Sequence, residues 1–211
     1  MNLFIVALCR VAFVKHMRIT GGHAARRILK VPKGLDVRPT PDLVKQAVFN
    51  SLGARVQGAR VLELFAGSGA LSLECLSRGA AAVMCIEKSH RHADFIRSNA
   101  EAAGFRQILE TRTQDVFPAM HQLAESGRQF DLILADPPYG EKNVNRRSTS
   151  FAQQLLDDPS LPKLIAPGGR LVLGHTKRDT LEILPPWSEA KVLKHGDTVM
   201  RFLVIGTQET T

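Results

Sequence analysis

The run Asp136-Pro137-Pro138-Tyr139-Gly140 follows directly on FDLILA, an apolar segment that reads as a strand. Each proline fixes its own φ and drives the residue before it into an extended conformation. The Asp136 carboxylate and the Pro137 carbonyl are therefore expected side by side at the carboxyl end of that strand. Two adjacent acceptors suit an exocyclic NH2 group, because engaging both amine hydrogens turns the nitrogen lone pair toward an electrophile. Tyr139, the only tyrosine in the chain, offers a flat face for a base, a contact worth about 1–3 kcal/mol. Asp136, Pro137 and Tyr139 are the candidate catalytic residues.

A second constellation, Glu63-Leu64-Phe65-Ala66-Gly67-Ser68-Gly69, lies where a strand gives way to a helix. Glycines there let a ligand approach the backbone beside the amides of the helix N-terminus. A dinucleotide fingerprint would put a third glycine where this chain has Ser72, and an acid at Glu63 would repel a pyrophosphate. An acid there suits an ammonium group instead, which points to S-adenosylmethionine rather than a nicotinamide cofactor. Phe65, Ala66, Gly67, Ser68 and Gly69 are then expected to form its loop. Glu87, ending the next strand, is placed to accept from the ribose hydroxyls. Asp115, after the third strand, is placed either near the adenine amino group or as a helix cap.

The elements that must position these residues alternate in period. Leu43, Ala47, Val48 and Leu52 recur at helical spacing, with Thr40 before Pro41 as the expected N-cap and Gly53 as the stop. Beyond Gly58 come ARVLELFA as a strand, GSGALSLECLSRG as a helix and AAVMCIEK as a strand. HADFIRSNAEAAGF follows as a helix, ILETRTQD as a strand, a helix over roughly 116–126, and FDLILA. Apolar strands alternating with helices predict an α/β fold, a mostly parallel sheet covered on both faces. RLVLGHT and the runs AKVLKHGD and TVMRFLVIG predict a further strand and an antiparallel hairpin at the sheet edge.

At 211 residues the chain has room for one ordinary domain and a modest appendage. Hydrophobic residues make up 44% and charged residues 23%, a globular balance. Cys9, Cys75 and Cys85 form no CxxC pair, so reduced thiols in a cytoplasmic protein and no metal site are expected. The apolar stretch LFIVALCRVAFV is too short to span a bilayer and lacks the flanks of a signal peptide. Residues 1–16 read as an extension upstream of a natural start at Met17. Residues 17–57 read as a basic arm or small hairpin with a helix, and 58–211 as the catalytic domain.

The formal net charge of +8 favours a polyanionic partner, nucleic acid before membrane. Arg18, Arg26, Arg27, Lys30 and Arg38 are expected to track phosphates from the arm, and Lys142, Arg146 and Arg147 follow the Asp136 loop.

The segments MRITGGHAARRILKVP, RPTPDLVKQAVFNSLG, VLELFAGSGALSLECLSRGA, DLILADPPYG and KHGDTVMRFL together resemble the RsmD family of class I, S-adenosylmethionine-dependent methyltransferases. The resemblance covers nearly all of the chain from Met17 onward. It implies methylation of guanine N2 in 16S ribosomal RNA, within a small ribosomal subunit or assembly intermediate, by a monomer in the cytoplasm. The family's Thr-Asp-Arg-Val reads Pro41-Asp42-Leu43-Val44 here, so the arginine's contacts are missing. Two other readings share part of the pattern: an amino-methyltransferase on DNA adenine N6 or a different ribosomal RNA guanine, and a non-catalytic RNA-binding assembly protein.

Overall fold

In the computed structural model, which describes residues 17–30, 40–139 and 147–206, the apolar runs pair into one sheet of seven strands. In chain order these are β1 (Arg60–Leu64), β2 (Ala82–Glu87), β3 (Leu109–Thr113), β4 (Phe130–Ala135), β5 (Ile165–Thr176), β6 (Trp187–His195) and β7 (Thr198–Ile205). Their spatial order is β3-β2-β1-β4-β5-β7-β6. The first five run parallel, and β7 pairs antiparallel with both β5 and β6, as the hairpin pattern predicts. Chain order reverses between β1 and β4. Such a switch opens a crevice at the carboxyl ends of the strands, where both candidate motifs lie.

Period-two alternation divides the strand side chains between two apolar layers. Val61, Val83, Cys85, Leu132, Leu134, Val172 and Phe202 face one core, shared with α1 (Asp42–Leu52), α2 (Ala70–Ser77) and α3 (His90–Ala103). Leu62, Leu64, Met84, Ile86, Ile133, Leu171 and Leu203 face the other, with α4 (Val116–Glu125) and α5 (Phe151–Asp157). The sequence pattern does not reveal α5. It has only 7 residues, too few to show a helical period. Ser150 starts it by accepting from Gln153 N.

The expected N-cap at Thr40 is corrected. Pro41 occupies the cap position with extended backbone and no side-chain hydrogen bond, and the helix begins at Asp42. Thr40 Oγ1 instead donates to Asp136 Oδ2 at 2.7 Å, hydrogen bonds to an ionised acceptor being the stronger kind.

Residues 17–30 form a small hairpin, bridged at Arg18 and Ile28, that is docked rather than extended. Met17, Ile19, Ala24 and Leu29 are buried in the first core. Glu74 of α2, itself fully buried, accepts from Thr20 N at 2.6 Å, Thr20 Oγ1 at 2.8 Å and Arg78 Nε at 2.8 Å. Gly22, with positive φ, lies so close to Ser77 O that a Cβ would collide with it. Cys75 and Cys85 are free and buried, Cys9 and residues 1–16 lie outside the described residues, and no described helix is long and apolar enough to cross a membrane.

Truncating Glu74 strands three donors. Glu74→Ala is expected to cost about 3–5 kcal/mol of stability, read from the urea midpoint, with amide protection lost first across residues 17–30.

Candidate active site

β1 ends at Leu64, and the chain must turn at once into α2. Phe65 does so at φ 56°, followed by Gly67 at 54° and Gly69 at 71°. A left-handed conformation is rare for an aromatic residue. Strain of this kind costs about 1–3 kcal/mol and collects at ligand sites. Gly69 N donates to Ala66 O, closing the turn, and Ala66 N donates to Ile86 O, tying it to β2. A Cβ at Gly69 would press on Ile96 at 3.0 Å. Ser68 Oγ donates to Met17 Sδ, so the hairpin touches the loop.

Two acids brace this loop differently. Glu87 accepts from Gly67 N at 2.7 Å through one oxygen and from Ser89 N at 2.8 Å through the other, with His92 Nδ1 at 3.4 Å. Glu63 is buried, and its carboxyl accepts from Ser72 N at 2.9 Å and from Ser72 Oγ in the first turn of α2. Burial pushes its pKa up to about 8, against the pull of the two Ser72 hydrogen bonds, and the charges of Asp136 and Glu87 add to the rise. Glu63 thereby ties the end of β1 to the start of α2, across the glycine loop.

One cavity of about 560 Å³ opens at the carboxyl ends of β1, β2 and β4, within the usual size range for small-molecule sites. Phe65, Gly67, Glu87, Asp115, Asp136, Pro137 and Tyr139 all line it, so the two motifs and both further acids meet at one site. Asp115 caps α4 by accepting from Phe117 N at 3.2 Å and pairs with Lys88 Nζ at 3.1 Å. That is the capping alternative, realised at the cavity wall. Phe117 and Phe151 face Phe65 with centroids 6.4 and 5.4 Å away, which gives the cavity an aromatic wall. The motifs do not disclose Phe117 or Phe151. Phe117 carries one weak signal, its place two residues after an N-cap, and Phe151 none, because α5 is not legible.

Asp136 is held on two sides. Thr40 grips Oδ2, and Oδ1 faces Gly174 of β5, where a Cβ would collide with it. Oδ1 is buried and has no hydrogen-bond partner among the described residues. Burial pushes the carboxyl above its ordinary value, while the Thr40 bond favours the anion and offsets part of that rise. Tyr139 is half-exposed at the cavity mouth, its hydroxyl 3.1 Å from Thr198 Oγ1 of β7. Neither Thr40 nor Gly174 carries a sequence signal for the site. The threonine reads as a cap, and the glycine belongs to a strand distant in sequence.

The basic residues are dispersed. Arg18 pairs with Asp42 Oδ2 at 2.9 Å beside the start of α1. Arg26 and Arg27 follow the hairpin tip, where His23 N bonds Ser77 O and the His23 ring meets Phe105, residues at the far ends of α2 and α3. The structure does not bring them together with the residues lining the cavity. Arg147 is held at 2.7 Å by both Asp157 and Glu182, so its charge is already compensated. Arg38, Lys142 and Arg146 lie outside the described residues. Leu43, where the family pattern carries arginine, is exposed.

The strand order, the glycine turn and the cavity between Glu87 and Asp136 define a class I, S-adenosylmethionine-dependent methyltransferase. The model of the family described as Conserved hypothetical protein 95 matches residues 17–204, and the chain belongs to that family. It is 33% identical over 143 residues to YlbH of Bacillus subtilis (strain 168), assigned by name as an rRNA methyltransferase, an alignment covering 67% of this chain and 78% of that protein. It is 36% identical over 125 residues to ribosomal RNA small subunit methyltransferase D of Escherichia coli (strain K12), covering 58% of this chain and 60% of that protein. Among solved structures, a hypothetical protein of Thermus thermophilus superposes with a TM-score of 0.70 at 27% identity, over 88% of this chain and 97% of the other.

Because Gly174 leaves room for the carboxylate, Gly174→Ala should push Asp136 out of place. A misplacement near 1 Å costs about 10²-fold in rate. Methyl transfer is expected to fall by that order, while affinity for S-adenosylhomocysteine, measured by calorimetry, stays within about twofold of wild type.

Proposed function

We propose that this protein transfers a methyl group from S-adenosylmethionine to the N2 amino group of a guanine in 16S ribosomal RNA. The observation that carries the reading is Asp136, a buried carboxylate that lines the methyltransferase cavity with Pro137 and has one oxygen, Oδ1, without a hydrogen-bond partner among the described residues. A ligand amine supplies the donor that this oxygen lacks. The names of the relatives favour ribosomal RNA of the small subunit as the target.

The residues present suit the cofactor. Glu87 offers carboxylate oxygens at the cavity wall, the Phe65, Phe117 and Phe151 rings supply an apolar face, and Gly67 and Gly69 bring backbone close. When bound, S-adenosylmethionine supplies an electrophilic methyl group on a sulfonium centre. The work left to the chain is positioning, which alone contributes roughly 7–11 kcal/mol to such reactions. The target base is unstacked into the cavity mouth, as enzymes acting on base atoms require, and Tyr139 stacks on it. Asp136 and the Pro137 carbonyl hold the amine hydrogens and aim its lone pair. The amine proton leaves to Asp136 or to water after transfer. The catalytic domain spans 58–211 and acts in the cytoplasm as a monomer on a small subunit or assembly intermediate.

Labelled methyl transfer decides the substrate. Purified protein is offered small ribosomal subunits lacking native methylation, naked 16S RNA and duplex DNA, and product nucleosides are identified by mass. N2-methylguanosine from a ribosomal substrate is expected. N6-methyladenine from DNA would keep the chemistry and overturn the substrate, and no transfer to any of them would overturn the RNA assignment.

A further inference from the structure

The hairpin strand that closes the sheet does more than cover an edge. Thr198, the first residue of β7, bonds the Tyr139 hydroxyl and pairs across the sheet with Thr176 on one side and His195 on the other. Lys177 N donates to Asp197 O at 2.7 Å, stitching the end of β5 to the β6–β7 turn. These links bring Lys177 and Arg178, following β5, to the sheet edge beside the wall that carries Tyr139, whereas Lys194 pairs with Val199 and belongs to the other face. Adjacent strands lie about 4.8 Å apart, so the backbone of Lys177 and Arg178 lies within about two strand spacings of Thr198.

Both are exposed, and neither has an ion-pair partner among the described residues. Of the acids nearby, Glu189 is taken by Arg201 and Asp179 is buried, which leaves the exposed Asp197 of the turn as one negative charge against two positive ones. Arg201 is itself withdrawn, its Nε donating to His175 Nε2 at 2.9 Å. Other basic residues near the crevice are compensated: Arg18 by Asp42, Lys88 by Asp115, and Arg147 by two acids. Among the described residues, uncompensated positive charge beside Tyr139 is thus found on this rim.

We propose that Lys177 and Arg178 form the phosphate-docking surface for the RNA strand flanking the target base. The inference rests on the reading of this chain as an RNA methyltransferase and adds where the substrate backbone is held. A base brought onto Tyr139 carries its flanking phosphates past whichever surface borders that ring, and unpaired cations there release counterions on contact. The rim is anchored to the paired ends of β5 and β7 through Thr176, Thr198 and the Lys177–Asp197 bond, so it sets the register of the backbone relative to Asp136. Phosphate contacts of this kind position the substrate without reading its sequence.

The test measures binding of naked 16S RNA against salt concentration for wild type, the double variant Lys177→Ala with Arg178→Ala, and the double variant Arg26→Ala with Arg27→Ala. S-adenosylhomocysteine affinity and thermal melting establish that each variant is folded. The rim variant is expected to bind roughly tenfold more weakly and to flatten the salt slope by about 1.5 to 2, as the loss of two phosphate contacts requires. The Arg26 and Arg27 variant is expected to bind as wild type does. Unchanged affinity and slope in the folded rim variant, with wild type still methylating 16S RNA, would overturn this docking surface alone. Failure of wild type to bind or methylate RNA, or a preference for anionic vesicles over RNA, would overturn the docking surface together with the function on which it rests.

Discussion

A carboxylate buried at the end of a central strand must be held from several sides, and the way Asp136 is held explains much of the arrangement around it. Thr40 supplies the hydrogen bond to one oxygen, and Gly174 supplies the space for the other. These residues come from the entry to α1 and from β5, so α1 and the neighbouring strand are both tied to the same side chain. The two prolines after it remove the backbone freedom that would let the group escape its position. A single ionisable group with little solvent is costly to bury. In the proposed reaction a substrate amine completes the unpartnered oxygen, which would offset that cost.

The other half of the crevice is braced in a similar way. Glu87 is bonded to Gly67 N and Ser89 N, so the acid at the cavity wall is fixed by the loop that it helps to shape. Glu63 bonds Ser72 across that loop, and its raised pKa follows from burial among other acids. Phe65 accepts a left-handed backbone at the turn and joins Phe117 and Phe151 in the aromatic wall. Strain in the backbone and apolar packing of its side chain therefore meet at one residue. The glycine loop and Asp136 are set by different contacts, which lets a change at Gly174 affect transfer without disturbing the cofactor side.

The fold is largely legible in the sequence because its strands are continuous apolar runs bounded by glycine and proline, and the final hairpin has a clear glycine–aspartate turn. The short α5 is not, since 7 residues contain too little periodicity. Site residues within compact motifs, such as Gly67, Glu87 and Asp136, can be placed by their position at strand ends. Thr40 and Gly174 cannot, because each acts through a contact with a residue remote in sequence. Glu63 is legible by its spacing to the loop, but its bonds to Ser72 depend on the helix turn that follows. In the basic arm, local charge density is legible, whereas the docking of its hairpin through the buried Glu74 is not.

The most direct measurement is the single-turnover rate of methyl transfer to ribosomal substrate by Asp136→Asn, with S-adenosylmethionine and RNA both saturating. The substitution keeps the shape and size of the side chain but replaces one acceptor with a donor that opposes the amine. If Asp136 aligns the nucleophile, the rate falls by about 10²-fold or more while both ligands still bind. A rate close to wild type, with RNA and cofactor bound normally, would contradict the account.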